Sequence, residues 1–360
     1  MNKSFGENKM IFTDTRRIYD HLQDEVSRKL FAARLNVSAT GEARYLTMLP
    51  AEYRNLSADI EQFRMKLLSN DVKKTVIFGA GFNGITIAQQ IHMESLIAFI
   101  DSNRGGQIET STNLPIFSLD DYIQRYGTGD TRFIISVSDR YAAGEMYGQL
   151  IQKEVDSKKI IMIPSDYRNN VSQYFDLFVP EEHETFVDCG CFDAGTAFRF
   201  AGWCGTKEYD KIWCFEPDRV SYEISSKACA RLTNCYIYPY GISDRKGTAM
   251  FASDGKENSK IVSQSEKKTG DMIETIALDE FLRGERITFI KMDIEGAERD
   301  ALKGAEQIIK AQKPKLAISI YHKPDDIVAI PSLILEMRMD YKFYIRHYSL
   351  LTNETILYAI

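Results

Sequence analysis

The stretch Phe186-Val-Asp-Cys-Gly-Cys-Phe-Asp-Ala-Gly195, followed by Ile212-Trp-Cys-Phe-Glu-Pro-Asp218, constrains what this chain can fold into more than any other part of it. An apolar run that ends in Asp188 and Gly190 and opens onto a helix, then a second apolar run ending in Glu216, predicts two neighbouring strands of an α/β sheet with a tight turn after the first. A glycine there lets a ligand approach the backbone closely, and the second carboxylate can hold both hydroxyls of a ribose. An adenosyl ligand requires this pattern, and S-adenosyl-L-methionine is the cofactor expected.

The rest of the C-terminal part extends the same sheet. A polar stretch after Ser165 and a helix over 170–178 precede strands at 185–190, 211–216, 235–241, 287–293, 315–321, 341–348 and 354–360, with helices after most of them. The last two have no helix between them, as in a seven-stranded Rossmann-like methyltransferase fold closed by an antiparallel hairpin. The fold class expected is therefore α/β, with this domain over 169–360.

Two further segments precede it. Apolar residues at 18, 22, 26 and 30 mark an amphipathic helix that Asp14 can cap, and a second helical region flanks Pro50, so 1–72 reads as a helical segment able to pack or to pair in a homo-oligomer. Residues 73–168 then form a smaller Rossmann-like α/β domain. Its strand Thr75–Phe78, the turn Gly79-Ala-Gly81-Phe-Asn-Gly84, a helix to about His92 and a strand ending in Asp101 supply the full context of a dinucleotide fingerprint. Gly79, Gly81, Gly84 and Asp101 are the candidate second nucleotide site. The alternative is a scaffold whose glycines serve helix–strand packing.

Chemistry concentrates in Ile290-Lys-Met-Asp-Ile-Glu-Gly-Ala-Glu298. Strand alternation points Lys291 and Asp293 to one face, and Asp293 falls at the carboxyl edge, where open α/β sheets place ligands. Glu295 and Glu298 are expected in the first turn of a helix running through Gln312, where the macrodipole alone favours them. His322, in Ser319-Ile-Tyr-His-Lys323, ends the next strand near the same rim. An unperturbed imidazole there suits deprotonation of an acceptor hydroxyl, and a merely structural rim histidine is the alternative. A divalent metal bridging Asp293 and a helix glutamate lacks a further carboxylate or asparagine at supporting spacing, so no metal is expected.

Val187-Asp-Cys-Gly-Cys-Phe-Asp, Phe215-Glu-Pro-Asp218, Gly241-Ile-Ser-Asp244, Leu278-Asp-Glu-Phe-Leu282 and Lys291-Met-Asp-Ile-Glu-Gly-Ala-Glu298 together resemble the FkbM family of S-adenosylmethionine-dependent methyltransferases. The resemblance implies methyl transfer to a hydroxyl, often on a sugar or natural product. It implies that Asp188, Gly190, Asp193 and Gly195 line the cofactor turn, that Glu216 holds the ribose, and that Asp244 approaches the adenine. The catalytic group it leaves is Asp293, Lys291 and His322. One departure is Ala194, where the family usually has glycine. The 73–168 domain resembles a small Rossmann-like unit found ahead of some of these enzymes, where it can hold a nucleotide-sugar.

A net charge of −6 offers phosphate backbones no general attraction, so no nucleic-acid partner is expected. No apolar run is long enough for a membrane span and the N-terminus lacks a signal core, which points to a cytoplasmic protein, and the resemblance implies a small-molecule or glycan acceptor as its partner. The six cysteines, all between Cys189 and Cys235, lack C-x-x-C pairing, and His183 is the one histidine close to them in sequence. Reduced, packed thiols are expected. Two other functions stay open: a non-catalytic nucleotide- or glycan-binding protein on a degenerate methyltransferase fold, and an NAD-linked oxidoreductase using the N-terminal fingerprint with His92 nearby.

Overall fold

Strands buried on both faces need apolar side chains on each, and two such runs, around Val76 and Val187, lie inside two separate sheets. The computed structural model describes residues 14–69, 73–90, 94–137, 139–164, 173–252, 260–262 and 271–360. Contacts divide the chain into two units, one of Ala33–Asn170 with His347–Glu354, the other of Met1–Ala32 with Val171–Arg346 and Thr355–Ile360. The expected helical segment over 1–72 is therefore not a unit of its own. Its helix Ala58–Leu68, capped by Ser57, places Ile60, Phe63 and Leu67 in the core of the first unit, whereas Leu22 bridges Phe343 in the second.

The first unit has strands β1 (Lys74–Phe78), β2 (Leu96–Ile100), β3 (Ile108–Glu109), β4 (Leu114–Phe117), β5 (Thr131–Ile135) and β6 (Ile160–Met162), in the order β3-β4-β2-β1-β5-β6. Side-chain alternation divides its core. Ile77, Phe99 and Ile134 face the helix Ala58–Leu68 together with Leu350 and Leu351. Val76, Phe78, Ile100, Phe133 and Ile135 face Tyr122 and Leu150 on the other side. The two strands of the expected fingerprint are present as β1 and β2, and the other four complete the sheet.

The second unit contains β7 (Glu184–Cys189), β8 (Tyr209–Phe215), β9 (Cys235–Tyr238), β14 (Phe289–Met292), β15 (Lys315–Ser319), β16 (Phe343–His347) and β17 (Thr355–Ala359), reached after the short strands β10 (Gly241–Ile242), β11 (Gly247–Ala252), β12 (Lys260–Val262) and β13 (Asp271–Ile276). The seven form one sheet in the order β16-β17-β15-β14-β7-β8-β9, with β17 antiparallel to β15. The order reverses direction between β7 and β14, and the crevice beyond those two strand ends is where such sheets bind ligands. Strands β10 to β13, from the chain between β9 and β14, form a separate four-stranded sheet. The helix expected over 170–178 is a turn across its described part, and His92 is outside the described residues.

One face of this sheet is fastened by an aromatic cluster. Phe186 stacks on Phe200 at 4.5 Å, and Phe289 meets Phe178 edge-on at 4.9 Å with Phe175 and Trp203 beside it. Phe289 is fully buried, so Phe289→Ala should cost about 3–5 kcal/mol of stability through lost burial and the cavity left behind. Chemical denaturation checks this, and a loss under about 1 kcal/mol would mean that the cluster re-closes.

Candidate active site

The turn after β7 is built from left-handed backbone. Gly190 has φ +77°, Phe192 +51° and Ala194 +64°, a sequence of reversals that lifts the chain off the sheet before the helix Gly195–Cys204. A Cβ at Gly190 would stand 2.1 Å from the carbonyl oxygen of Asp293. This glycine is thus required by the close approach of β7 to the chain leaving β14 as well as by its φ, whatever ligand lies above it. Asp193 Oδ1 accepts from the Gly195 amide at 2.8 Å and fixes the start of the helix. Ala194 is fully buried at φ +64°, a conformation that glycine adopts without strain, so the departure from glycine carries a left-handed backbone cost.

Glu216 ends β8 with its carboxylate 7% exposed. Oε2 accepts from the Phe192 amide and Oε1 from the Asp218 amide, each at 2.9 Å, so the acid braces the neighbouring turn. Burial lifts its pKa to about 7 against those two amide bonds, and among the described residues no cation stands within ion-pair distance. Asp218 caps the next helix through the Ser221 amide. Asp244 lies beside Ser243 and Arg245.

Asp188 and Lys291 face each other in register across β7 and β14 and form an ion pair at 2.9 Å with both side chains almost wholly buried. Burial pushes the Asp188 carboxyl up while the ammonium pulls it down. Burial would lower Lys291, but Asp188 and Asp293 outweigh it and hold the ammonium at about 12. Lys291 Nζ also donates to the carbonyl of Gly190 at 2.6 Å. Asp188 was expected to line the cofactor. It is instead fully buried against Lys291 and positions the turn from beneath.

The third group gathers where β14 and β15 end. Asp293 Oδ2 accepts from the Tyr174 hydroxyl at 2.7 Å and Oδ1 from the Tyr321 hydroxyl at 3.2 Å. His322 Nε2 lies 3.5 Å from Asp293 and 3.6 Å from Glu295, and Nδ1 lies 2.9 Å from Glu298. Burial raises and the charges of His322 and Lys291 lower the Asp293 pKa, with a net fall. For His322 burial alone would lower the pKa, yet Glu298, Asp293 and Glu295 lift it to about 9. The expected neutral imidazole base is thus an imidazolium at neutral pH in this arrangement. Glu295 does not open a helix either. It sits at φ +55°, and the expected helix is divided into Glu298–Lys303 and Glu306–Gln312. The spacing argument against further ligands beside Asp293 also fails, because Asp293, Glu298 and His322 present ligand atoms within 4.8 Å of one another.

Tyr174 and Tyr321 were missed by the sequence reading. Tyr321 is adjacent to His322 and was available to it, whereas Tyr174 comes from a segment that carries no motif. Three cysteines also converge. Cys214, Cys229 and Cys235 lie within 4.8 Å, from two strands and the helix between them, and all six cysteines are free.

In the first unit Asp101 Oδ2 accepts from the Ala80 amide and Oδ1 from the Asn103 amide, while Arg104 donates to the Ala80 carbonyl. A Cβ on Gly84 would meet the Gly79 carbonyl at 2.0 Å, so that glycine is spent on packing, and Gly81 alone of the three has open space around it.

Residues 188–344 match the methyltransferase FkbM domain family. The chain carries an FkbM methyltransferase domain. Its fold is similar to the crystal structure of methyltransferase FkbM from Methylobacillus flagellatus KT, at 20% identity and a TM-score of 0.52, over 92% of this chain and 98% of that one. More distant likenesses are an rRNA methylase from Streptococcus thermophilus (16% identity, TM-score 0.31, 50% and 87% covered) and Aeropyrum pernix fibrillarin with natively bound S-adenosyl-L-methionine (10%, 0.33, 51% and 69%). Only the first bears on the fold. No curated protein matches the sequence. Among the described residues no helix is long and apolar enough to cross a membrane.

Two outcomes test the FkbM domain's construction. Lys291→Met should destabilise by about 3–5 kcal/mol because Asp188 is left as an uncompensated buried charge, and equal stability to the parent would remove the pair from its central position. Ala194→Gly should hold or raise stability by up to about 1 kcal/mol through relief of left-handed strain, whereas Ala197→Gly, inside the helix, should lose at least about 1 kcal/mol. Thermal denaturation of the two variants side by side decides it.

Proposed function

We propose that this protein transfers a methyl group from S-adenosyl-L-methionine to a hydroxyl of a sugar, glycan or natural-product acceptor. The observation that carries the reading is Glu216. A carboxylate accepts about four hydrogen bonds, and this one, buried at a strand end with no cation within ion-pair distance among the described residues, uses two of them on backbone amides. The remaining acceptor capacity suits the paired hydroxyls of a ribose, so the residues present fit the cofactor. When bound, S-adenosyl-L-methionine supplies an electrophilic methyl group.

The chain's own contribution is alignment and the handling of one proton. Asp293, ionised and oriented by Tyr174 and Tyr321, accepts the hydrogen bond of the acceptor hydroxyl and takes its proton as the new carbon–oxygen bond forms. His322 acts here as a positive neighbour that keeps Asp293 ionised. Acceptor class rests on the FkbM resemblance, with no substrate code in the loops. Six free cysteines suit a reducing compartment such as the cytoplasm.

Calorimetric titration with S-adenosyl-L-methionine and its demethylated product tests the assignment, and no binding of either would sink it. Glu216→Gln should weaken the cofactor by about 1.5–3 kcal/mol, the contribution of charge-assisted bonds. Its pH dependence has a defined sign. With a folded pKa near 7 against an ordinary value of 4.5, the ligand-free fold holds a proton that the unfolded chain releases, so stability declines as pH rises from about 4.5 to 7. Cofactor affinity should run the other way, falling about tenfold per unit below pH 7 as the carboxylate protonates, and Glu216→Gln should flatten that slope.

Asp293→Asn should lower turnover by about 10²–10⁴-fold, the usual contribution of a proton acceptor. Its cofactor affinity should remain close to that of the parent. Single-turnover measurement with saturating cofactor separates the two effects, and unchanged turnover would place the base elsewhere.

A further inference from the structure

We infer that Asp293, Glu298 and His322 form a binding site for one divalent first-row cation, which rests on the methyl-transfer reading and gives it an electrophilic centre for the acceptor hydroxyl. The three side chains come from separate places: the end of β14, the first turn of the helix Glu298–Lys303, and the residues following β15. Their ligand atoms fall within 4.8 Å of one another. Two carboxylates and an imidazole are a donor set for manganese, iron or zinc rather than for calcium, which takes oxygen alone.

Two independent features point to a ligand. Glu298 is 1% exposed, and its Oε2 has no hydrogen-bond partner although Oε1 accepts from the Ile294 amide at 2.9 Å. The His322 side chain is 8% exposed, and neither ring nitrogen makes an aligned hydrogen bond despite its close carboxylates. Burying such groups without satisfying them costs free energy that a bound cation would return. Local charge agrees. Asp293, Glu295 and Glu298 gather around one imidazole, each with a carboxylate oxygen 2.9–3.6 Å from a ring nitrogen of His322. Tyr174 and Tyr321 hold the Asp293 carboxylate in place, as outer hydrogen bonds commonly do for metal ligands.

Three protein ligands leave coordination positions open, the pattern of catalytic rather than structural sites. An acceptor hydroxyl entering one of them would be polarised and more readily deprotonated. Binding of the ion would release the His322 proton to solvent, and Asp293 would ligate through one carboxylate oxygen while the other stays the acceptor for the hydroxyl proton.

Mn²⁺ is the probe. The full-length protein, freed of metal by chelation, should take up one Mn²⁺ per chain in a calorimetric titration without cofactor. Pulsed electron paramagnetic resonance of that complex should show coupling to an imidazole nitrogen. Glu298→Gln and His322→Gln should each weaken Mn²⁺ at least about tenfold, and the nitrogen signal should vanish with His322→Gln. Wild-type protein that binds S-adenosyl-L-methionine but takes up no Mn²⁺, or binds it without nitrogen coupling, overturns the site and leaves the methyl-transfer reading standing. Mn²⁺ uptake with nitrogen coupling but no affinity for the cofactor supports the site and sinks that reading. Because the nitrogen signal is read on the wild type, a variant that fails to fold does not decide the matter.

Discussion

Everything at the carboxyl edge of the second sheet depends on the buried pair of Asp188 and Lys291. A lone charge at either position would be expensive to bury, and the register of β7 against β14 is what brings the two to 2.9 Å. The ammonium then does more than neutralise its partner. By donating to the Gly190 carbonyl it ties the start of the turn to the neighbouring strand, and its charge helps keep Asp293, two residues further along its own chain, ionised. A single cation thus links the turn assigned to the cofactor with the acid assigned to the acceptor.

That linkage explains why the surrounding backbone tolerates strain. Phe192, Ala194 and Glu295 all adopt left-handed conformations, which cost L-residues about 1–2 kcal/mol each. Residues in such conformations persist where the surroundings over-determine them and cluster at functional sites. Here the Phe192 amide is held by Glu216, Ala194 is enclosed completely, and Glu295 precedes Gly296, itself at φ +95°.

The sheet was legible because strand content, turn glycines and terminal acids are local signals: all seven predicted strands appear, within a few residues of their expected ends. The inserted sheet of β10 to β13 was not, because Gly247–Ala252 and Asp271–Ile276 carry polar residues and pair across an intervening segment, so their partnership exists only in three dimensions. The active-site cluster divides the same way. Asp293 was visible from its strand end, whereas the state of His322 depends on three carboxylates that no spacing rule brings to it. Pattern reading supplies a residue's address. Its charge state comes from neighbours assembled by the fold.

The two glycine turns of this chain show how far such a pattern reaches. In each unit the acid that ends the second strand accepts from an amide of the preceding turn and from the amide two residues beyond itself: Asp101 from Ala80 and Asn103, Glu216 from Phe192 and Asp218. The fingerprint of strand, glycine turn, helix and acid therefore encodes, first of all, a brace that keeps the turn folded against the adjoining strand. Ligand binding draws on what the brace leaves over. At Glu216 that remainder is a buried carboxylate whose pKa lies near neutrality, with no cation within ion-pair distance among the described residues. At Asp101 the acid is more open to solvent and Arg104 already occupies the Ala80 carbonyl. Both acids spend two bonds on backbone amides, so what separates them is burial: Asp101 can turn its remaining acceptor capacity to water, whereas Glu216 holds it away from solvent, and that difference, more than the glycines, is what argues for a ligand at Glu216.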